Sequence, residues 1–470
     1  MKKAIRDPGS FRDSGAYIFS QDNRIFRGIT PAGMDQYAEL TESNILDLLC
    51  DKGLMIESRC IDFAPEDMIG FTGARGEMPS VILEHPRIPL ITYPYEWTFL
   101  QLKDAALAHL QLQLTGLEHG YVFSDATAYN MQFHEGGPVH IDVMSLKKYR
   151  DGQPWDGYNQ FCREFLIPLL IESWAGLSFQ SLYRGSLNGI GFDEALKILP
   201  RRKLLFSVTG LLHVYLHGKR VLSKTAVSQD HSQKSIDLPK NRYKAILMQL
   251  QEFISGLSSG RNKSSYWKDY AKTNSYDEES RQKKMEFVRG WAGAEKPGRI
   301  WDIGGNTGDY ALAAIEAGAG QAIVVDGDID SLEMAYETRF KAGKPVMPLV
   351  MDLLNPTPNL GWKQTERRGL QERIDADGVI ALALIHHLAI GGNIPLSDAV
   401  NWLLSFAPKG VIEFVPKSDP MVKGLLNFRD DIFTDYDEET FLKTISATRN
   451  VNDTLRLSEG GRLLISYGSK

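Results

Sequence analysis

The chain has little of several features that would assign it to a class at once. Only three of its 470 residues are cysteine and no Cys-x-x-Cys pair is present, so the sequence predicts neither a disulfide framework nor a zinc site. No apolar run reaches the roughly 20 residues of a membrane span. The first eight residues lack the apolar core of a signal peptide. We therefore expect a cytoplasmic protein with no membrane partner and no bound metal.

The chain also has no overall excess of positive charge. The formal net charge is −6, which argues against general nucleic-acid binding. The segment 201–250 is the exception, because it contains ten Lys or Arg residues and only two acids, Asp230 and Asp237. This segment is either a solvated helix face followed by a polar linker, or a contact surface for an anionic substrate or partner.

Residues 301–312 carry the first positive signal. They combine a buried strand, a glycine-rich turn and the start of a helix. Glycines let the backbone approach a ligand without a Cβ clash, and asparagine tolerates the left-handed conformation that such a turn needs. The turn and the acid ahead of it are Asp302, Gly304, Gly305, Asn306 and Gly308. This order predicts a nucleotide-shaped cofactor at the edge of an α/β sheet.

Two further acids follow predicted strands. Asp328 comes twenty residues after Gly308, at the end of a strand around 322–325. A carboxylate at that place can bind both hydroxyls of a ribose. Asp352 follows the predicted strand 346–351 and is also compatible with a helix N-cap.

The acid-x-Gly-x-Gly-x-Gly spacing resembles the first motif of class I S-adenosylmethionine (SAM)-dependent methyltransferases, with Asn306 in place of one glycine. The resemblance implies that Asp302, the glycine turn and Asp328 hold SAM, and that Asp352 reaches the adenine amino group. It also implies a lid helix ahead of the motif, with Tyr270 near the sulfonium, although ordinary packing of that helix is the alternative. A dinucleotide site would have Gly-x-Gly-x-x-Gly without the preceding acid.

The fourth predicted strand, 378–384, leads into His386 and His387. In the methyltransferase family the end of this strand faces the transferred methyl, so the resemblance implies that a histidine here could accept a proton from a hydroxyl or amine. Strand alternation directs the two rings to opposite sides, and we expect only one of them in the cleft. Alternatively, both rings hydrogen-bond the backbone or cap the next helix.

The C-terminal half alternates strand and helix patterns. The predicted strands are 299–303, 321–326, 346–351, 378–384, 410–415 and 462–467, and the predicted helices between them are 309–317, 330–341, 396–406 and 437–447. Such alternation indicates an α/β domain with a parallel sheet covered on both faces. The resemblance implies a Rossmann-like class I methyltransferase domain with a mostly parallel seven-stranded sheet.

Residues 1–224 are expected to form an α+β domain. Within it, Asp125, Asn130 and Asp142 resemble the catalytic loop of kinases and aminoglycoside phosphotransferases, in which the first Asp orients the hydroxyl while Asn and the last Asp hold Mg²⁺. Arg27 stands where the phosphate-binding Lys is expected, and no glycine-rich loop is visible. The resemblance therefore implies a kinase-like fold more strongly than kinase activity. A set of turn and cap residues is the alternative.

The whole chain is similar to a bacterial two-domain type of SAM-dependent methyltransferase, including the segments 93–97 and 125–130. We predict an N-terminal domain (1–224), a linker with a connecting helix (225–264) and a methyltransferase domain (265–470). The hypothesis is methyl transfer to an oxygen or nitrogen of a small molecule, glycan or protein, without a nucleic-acid partner. A nucleotide-binding or phosphotransferase module in the N-terminal half and a non-catalytic SAM-binding protein are the alternatives. The acceptor and the oligomeric state stay open.

Overall fold

A computed structural model describes residues 3–62, 70–226, 237–261, 278–427, 429–458 and 460–470. The chain divides into two compact units. The first comprises Met1–Arg261 with Asn359–Arg368, and the second comprises Asn262–Pro358 with Gly369–Lys470. Tyr270 lies outside the described residues.

The first unit begins with a five-stranded antiparallel sheet of order β1-β2-β3-β5-β4. Its strands are β1 (Ile5–Arg6), β2 (Ala16–Gln21), β3 (Arg24–Ile29), β4 (Arg59–Ile61) and β5 (Val81–His85). Asp22 and Asn23 join β2 to β3 with φ values of 47° and 66°. Positive φ at both central residues suits a tight hairpin, because the twist of such a turn matches that of the strands.

A long helix, Phe99–Glu118, follows the sheet and begins at Thr98, whose side chain accepts a hydrogen bond from the Gln101 amide. Two short two-stranded antiparallel sheets come next: β6 (Tyr121–Phe123) pairs with β9 (Leu146–Lys148), and β7 (Met131–His134) pairs with β8 (Gly137–His140). The other helices are Met34–Glu42, Ile45–Asp51, Tyr158–Phe161, Cys162–Leu166, Ile167–Leu170, Ile171–Ala175, Gln180–Arg184, Phe192–Ile198, Arg201–Phe206, Gly210–Leu216, His217–Ala226 and Lys240–Ser255.

The short segment Asn359–Arg368 belongs to the first unit although it comes late in the chain. The Arg12 guanidinium donates to the Glu366 carboxylate at 2.9 Å, and the Arg367 guanidinium lies 4.3 Å from the centroid of the Tyr129 ring. Ion pairing and a cation–π contact therefore attach the segment to this unit.

The second unit contains a seven-stranded sheet of order β12-β11-β10-β13-β14-β16-β15. The strands are β10 (Arg299–Ile303), β11 (Gln321–Asp326), β12 (Val346–Val350), β13 (Gly378–Ala381), β14 (Lys409–Phe414), β15 (Arg449–Arg456) and β16 (Leu463–Ser469). Strands β10 to β14 are parallel to one another, and β16 is antiparallel to β14 and β15. The expected mostly parallel sheet of an α/β domain is confirmed.

Helices alternate with these strands along the chain. They are Glu278–Glu295, Asp309–Glu316, Ile329–Ala335, Tyr336–Phe340, Leu370–Arg373, His387–Gly391, Leu396–Leu404, Pro420–Leu426 and Glu438–Thr448. A core of buried apolar residues from the helix Glu278–Glu295 and from β10, β11, β12 and β13 lies against the sheet. Among the described residues, no helix has both the length and the apolar composition needed to cross a lipid bilayer.

Candidate functional site

The glycine turn lies at the carboxyl end of β10. Gly304 and Gly308 have φ values of +73° and +74°, and Asn306 has a φ of 50°, so the predicted left-handed asparagine is confirmed. A Cβ on Gly305 would lie 2.6 Å from Cγ of Asp302, a distance that no side chain could adopt without displacing the carboxylate. The turn therefore depends on glycine at these positions, because the backbone lies close to its neighbours.

Asp326 holds the turn against the next strand, a role that the sequence interpretation missed. Its carboxylate accepts hydrogen bonds from the amides of Asn306 at 2.9 Å and Asp328 at 2.8 Å. The Gly304 amide donates to the Val325 carbonyl at 2.7 Å. The sequence did contain a signal, because Asp326 is the last residue of the predicted strand 321–326 and an acid there reaches the same sheet edge.

Asp302 is buried behind the turn. Its Oδ2 accepts a hydrogen bond from the Ala311 amide at 3.2 Å. Burial, together with the nearby charges of Asp326 and Asp309, raises the pKa of Asp302 to about 7. Burial also raises the pKa of Asp326. Carboxylates so close together make the edge of the sheet a place of negative potential whenever they are ionised.

The other two predicted cofactor acids lie at the ends of neighbouring strands. Asp328 caps the helix Ile329–Ala335, where its Oδ1 accepts from the Asp330 and Ser331 amides and its Oδ2 accepts from the Ser331 hydroxyl. Asp352 is exposed after β12, and its Oδ1 accepts from the Leu354 amide at 2.9 Å. The structure thus brings Asp302, Asp328 and Asp352 to one edge of the sheet, because carboxyl ends of parallel strands meet there.

The strand-alternation argument for the histidines is wrong. The fourth strand ends at Ala381, and both histidines lie in the helical turn that follows, with ring centroids 4.1 Å apart. His386 is fully buried, and within the described part of the chain neither ring nitrogen has a hydrogen-bond partner. Burial, with His387 and Lys284 nearby, lowers the pKa of His386 to about 2. His387 is partly exposed, and burial lowers its pKa too.

A buried ion pair fixes the start of this turn. Ala383 adopts a left-handed φ of 49°, and its amide donates to Oε2 of Glu413 at 2.6 Å. Glu413 is fully buried and accepts from Nζ of Lys284 at 2.8 Å. A non-glycine residue in this region is strained and persists only where its surroundings determine it. The contact with Glu413 therefore directs the backbone from β13 towards the two histidines.

The N-terminal residues singled out from the sequence also come together. Nδ2 of Asn130 donates to Oδ2 of Asp125 at 3.3 Å, while Nη1 of Arg27 donates to Oδ1 of Asp142 at 2.8 Å. Burial raises the pKa of Asp125. The described residues contain no group of three or more His, Cys, Asp or Glu side chains that could hold a metal ion.

Comparison with known proteins gives one strong match. The chain is 41% identical over 464 residues to the nodulation protein NoeA of Rhizobium meliloti (strain 1021), covering 98% of this chain and 96% of that protein. No protein-family model matches the chain.

Solved structures give weaker likenesses. The N-methyltransferase NodS from Bradyrhizobium japonicum WM9 is 9% identical with a TM-score of 0.31, covering 41% of this chain and 98% of NodS. The magnesium protoporphyrin IX methyltransferase ChlM from Synechocystis PCC 6803, with bound SAM, is 16% identical with a TM-score of 0.29, covering 45% of this chain and 87% of ChlM. Scores this low assign no function to the chain.

Proposed function

The chain belongs to the family of the nodulation protein NoeA, and we propose that its C-terminal unit is a SAM-dependent methyltransferase. The observation that carries the proposal is the acid-flanked glycine turn at the carboxyl end of β10. There Asp302, Asp326 and Asp328 lie at a turn that requires glycine, because its backbone takes positive φ values and packs closely against neighbouring residues. In an open α/β sheet, ligands bind at this edge.

The charges around the turn favour SAM over a dinucleotide. SAM carries a sulfonium, an ammonium and one carboxylate and is therefore a net cation, whereas NAD presents an anionic pyrophosphate to the turn. The carboxylates of Asp302, Asp326 and Asp328 attract the former and repel the latter. We assign Asp328 to the ribose and Asp352 to the adenine, and we assign the backbone of Gly304, Gly305, Asn306 and Gly308 to the close contact with the cofactor.

His387 is the better base candidate of the pair. A general base works best when its pKa lies near the operating pH, and a pKa of about 2 makes His386 too weak. His387 is partly exposed, so it can face an acceptor. His386 packs against it and supports its orientation. SAM supplies an already activated methyl group. The protein therefore only has to align the acceptor with that methyl group and exclude water.

We assign the acceptor to an oxygen or nitrogen nucleophile on a small molecule, glycan or protein. Incubation of the full-length protein with methyl-tritiated SAM and a bacterial extract should label one of these fractions. His387→Ala should reduce the labelling rate by roughly 10²–10⁴-fold, the usual contribution of a general base. Ser397→Ala, a change at a partly exposed helical position, serves as the control and should label as wild type does.

SAM binding without label in any fraction would contradict methyl transfer and leave the non-catalytic SAM-binding alternative. Labelling that His387→Ala leaves unchanged would remove the base but keep the methyltransferase. The two results separate the role of the residue from the function of the unit.

A nucleotide-binding module in the N-terminal unit is the second candidate. It is favoured by the contact between Asp125 and Asn130 and by the nearby Asp142, because Mg²⁺ with a nucleotide is commonly held by one or two carboxylates plus phosphates. The antiparallel sheet, the long helix and the two short two-stranded sheets are compatible with the proposed kinase-like fold. The Asp142 carboxylate is already paired with the Arg27 guanidinium. We therefore infer that this unit binds a nucleotide or holds a substrate and does not transfer a phosphoryl group.

Calorimetry with Mg²⁺-ATP tests this second candidate. We expect binding by wild type that is lost in Asp142→Ala and unchanged in Asp104→Ala, a change in a partly exposed side chain of the long helix. Absence of binding at millimolar ATP would remove the nucleotide site and leave Asp125, Asn130 and Asp142 as turn and cap residues.

A further inference from the structure

Two consecutive helices of the N-terminal unit, separated by the extended residue Ser207, expose several large apolar side chains. Phe206 is 89% exposed and Val208 is 63% exposed. We call the group the apolar ridge, and it consists of Leu205, Phe206, Val208, Leu212 and Leu216. Isolated exposed apolar residues are ordinary, whereas a group of them marks a contact surface. Val208, Leu212 and Leu216 recur every four residues along the helical segment 208–226, and Leu205 and Phe206 end the preceding helix.

Contacts on the opposite face fix the ridge towards solvent. Oε1 of Gln249 can only accept, so His213 carries its proton on Nε2 and its Nδ1 accepts from the Tyr158 hydroxyl at 2.6 Å. Nε2 of Gln249 also donates to the Thr209 hydroxyl. His213 and Val214 are buried. Rotation of the helix to hide Val208, Leu212 and Leu216 would break these part-buried hydrogen bonds, so the fold itself keeps these side chains exposed.

The part of the chain that contains the ridge is rich in positive charge. Residues 201–226 contain no acid, although the whole chain has a net charge of −6. The exposed cations of this segment are Arg201, Arg202, Lys203, Lys219 and Arg220. They precede and follow the ridge along the chain. Nζ of Lys219 lies 4.4 Å from the centroid of the Tyr215 ring, which holds that charge close to the helix.

We propose that the apolar ridge docks onto an anionic lipid surface. The occupant must offer apolar contact and negative charge together along the helical segment 208–226, which is roughly 28 Å long at 1.5 Å per residue. A bilayer with anionic headgroups meets both demands, and an apolar helix face bordered by Lys and Arg is typical of helices that lie in the membrane interface. This peripheral contact departs from the sequence-based expectation of no membrane partner.

Flotation of the full-length protein with lipid vesicles tests the proposal. We expect binding to vesicles of phosphatidylcholine with phosphatidylglycerol, weak binding to phosphatidylcholine alone, and release at high salt. Lys219→Gln with Arg220→Gln should weaken binding roughly 25-fold, since each cation near an anionic surface contributes about fivefold. Leu212→Glu with Leu216→Glu should abolish it.

Exposed positions were chosen so that the variants fold, which circular dichroism checks. Ile5→Glu, at a strand residue that is 64% exposed, is the matched control and should float as wild type does. No flotation of wild type, equal flotation with neutral vesicles, or flotation retained by the Leu212 and Leu216 double variant would each overturn the proposal. Concentration-dependent dimers that this double variant abolishes, without vesicle binding, would assign the ridge to a second copy instead.

Discussion

Burial of an acidic residue at the proposed cofactor site lowers the stability of the folded protein. Asp302 is fully buried, and its ionised form lacks the solvation that a carboxylate has in water. The raised pKa of about 7 expresses that cost. A residue that contributes negative potential to a ligand site and destabilises the free protein is expected at a functional position, because function and stability compete there.

Asp302→Asn should therefore stabilise the protein at alkaline pH. The folded pKa lies above the unfolded value of roughly 4, so the cost is absent below pH 4, grows up to about pH 7 and then stays constant. At pH 8 the variant should be more stable by up to about 4 kcal/mol, the equivalent of the full pKa shift. At pH 4 the two proteins should differ little.

Urea unfolding across this pH range measures the effect. Asp352→Asn changes an exposed carboxylate at the same sheet edge and should alter stability by less than about 0.5 kcal/mol. A parallel pH dependence of wild type and Asp302→Asn would show that Asp302 is not the titrating group.

At the scale of the element, the buried parallel strands could be predicted because each is an apolar run bounded by turn residues. The fourth strand was extended too far for the same reason. Leu382 and Leu384 continue the apolar run and are buried, yet the chain turns at Ala383. An apolar sequence specifies burial, whereas the backbone conformation depends on long-range contacts, here the hydrogen bond that the Ala383 amide donates to the Glu413 carboxylate.

The edge strand β15 escaped prediction for the opposite reason. Its sequence, Arg449–Arg456, is polar and mostly exposed, so it lacks the alternation that marks a half-buried strand. Charged side chains on an edge strand discourage pairing with another chain. Asp326 was similarly overlooked, because its hydrogen bonds to the Asn306 and Asp328 amides arise only after the strands assemble.

At the scale of the molecule, two units divide the chain. The alternating pattern of the C-terminal half indicated its α/β sheet, whereas the return of Asn359–Arg368 to the first unit depends on contacts such as Arg12 with Glu366, far apart in sequence. The spacing of residues along the sequence does not reveal contacts between residues that are so far apart in the chain. Membership of the NoeA family applies to the whole chain, since the match covers 98% of it.

Calorimetric titration with SAM tests the central claim most directly. We predict micromolar binding to wild type, no binding of NAD, and loss of SAM binding in Asp328→Ala. Asp453→Ala, at an exposed position on β15, should bind as wild type does. Absence of SAM binding in wild type, or undiminished binding in a folded Asp328→Ala variant, would contradict the assignment of this sheet edge to SAM.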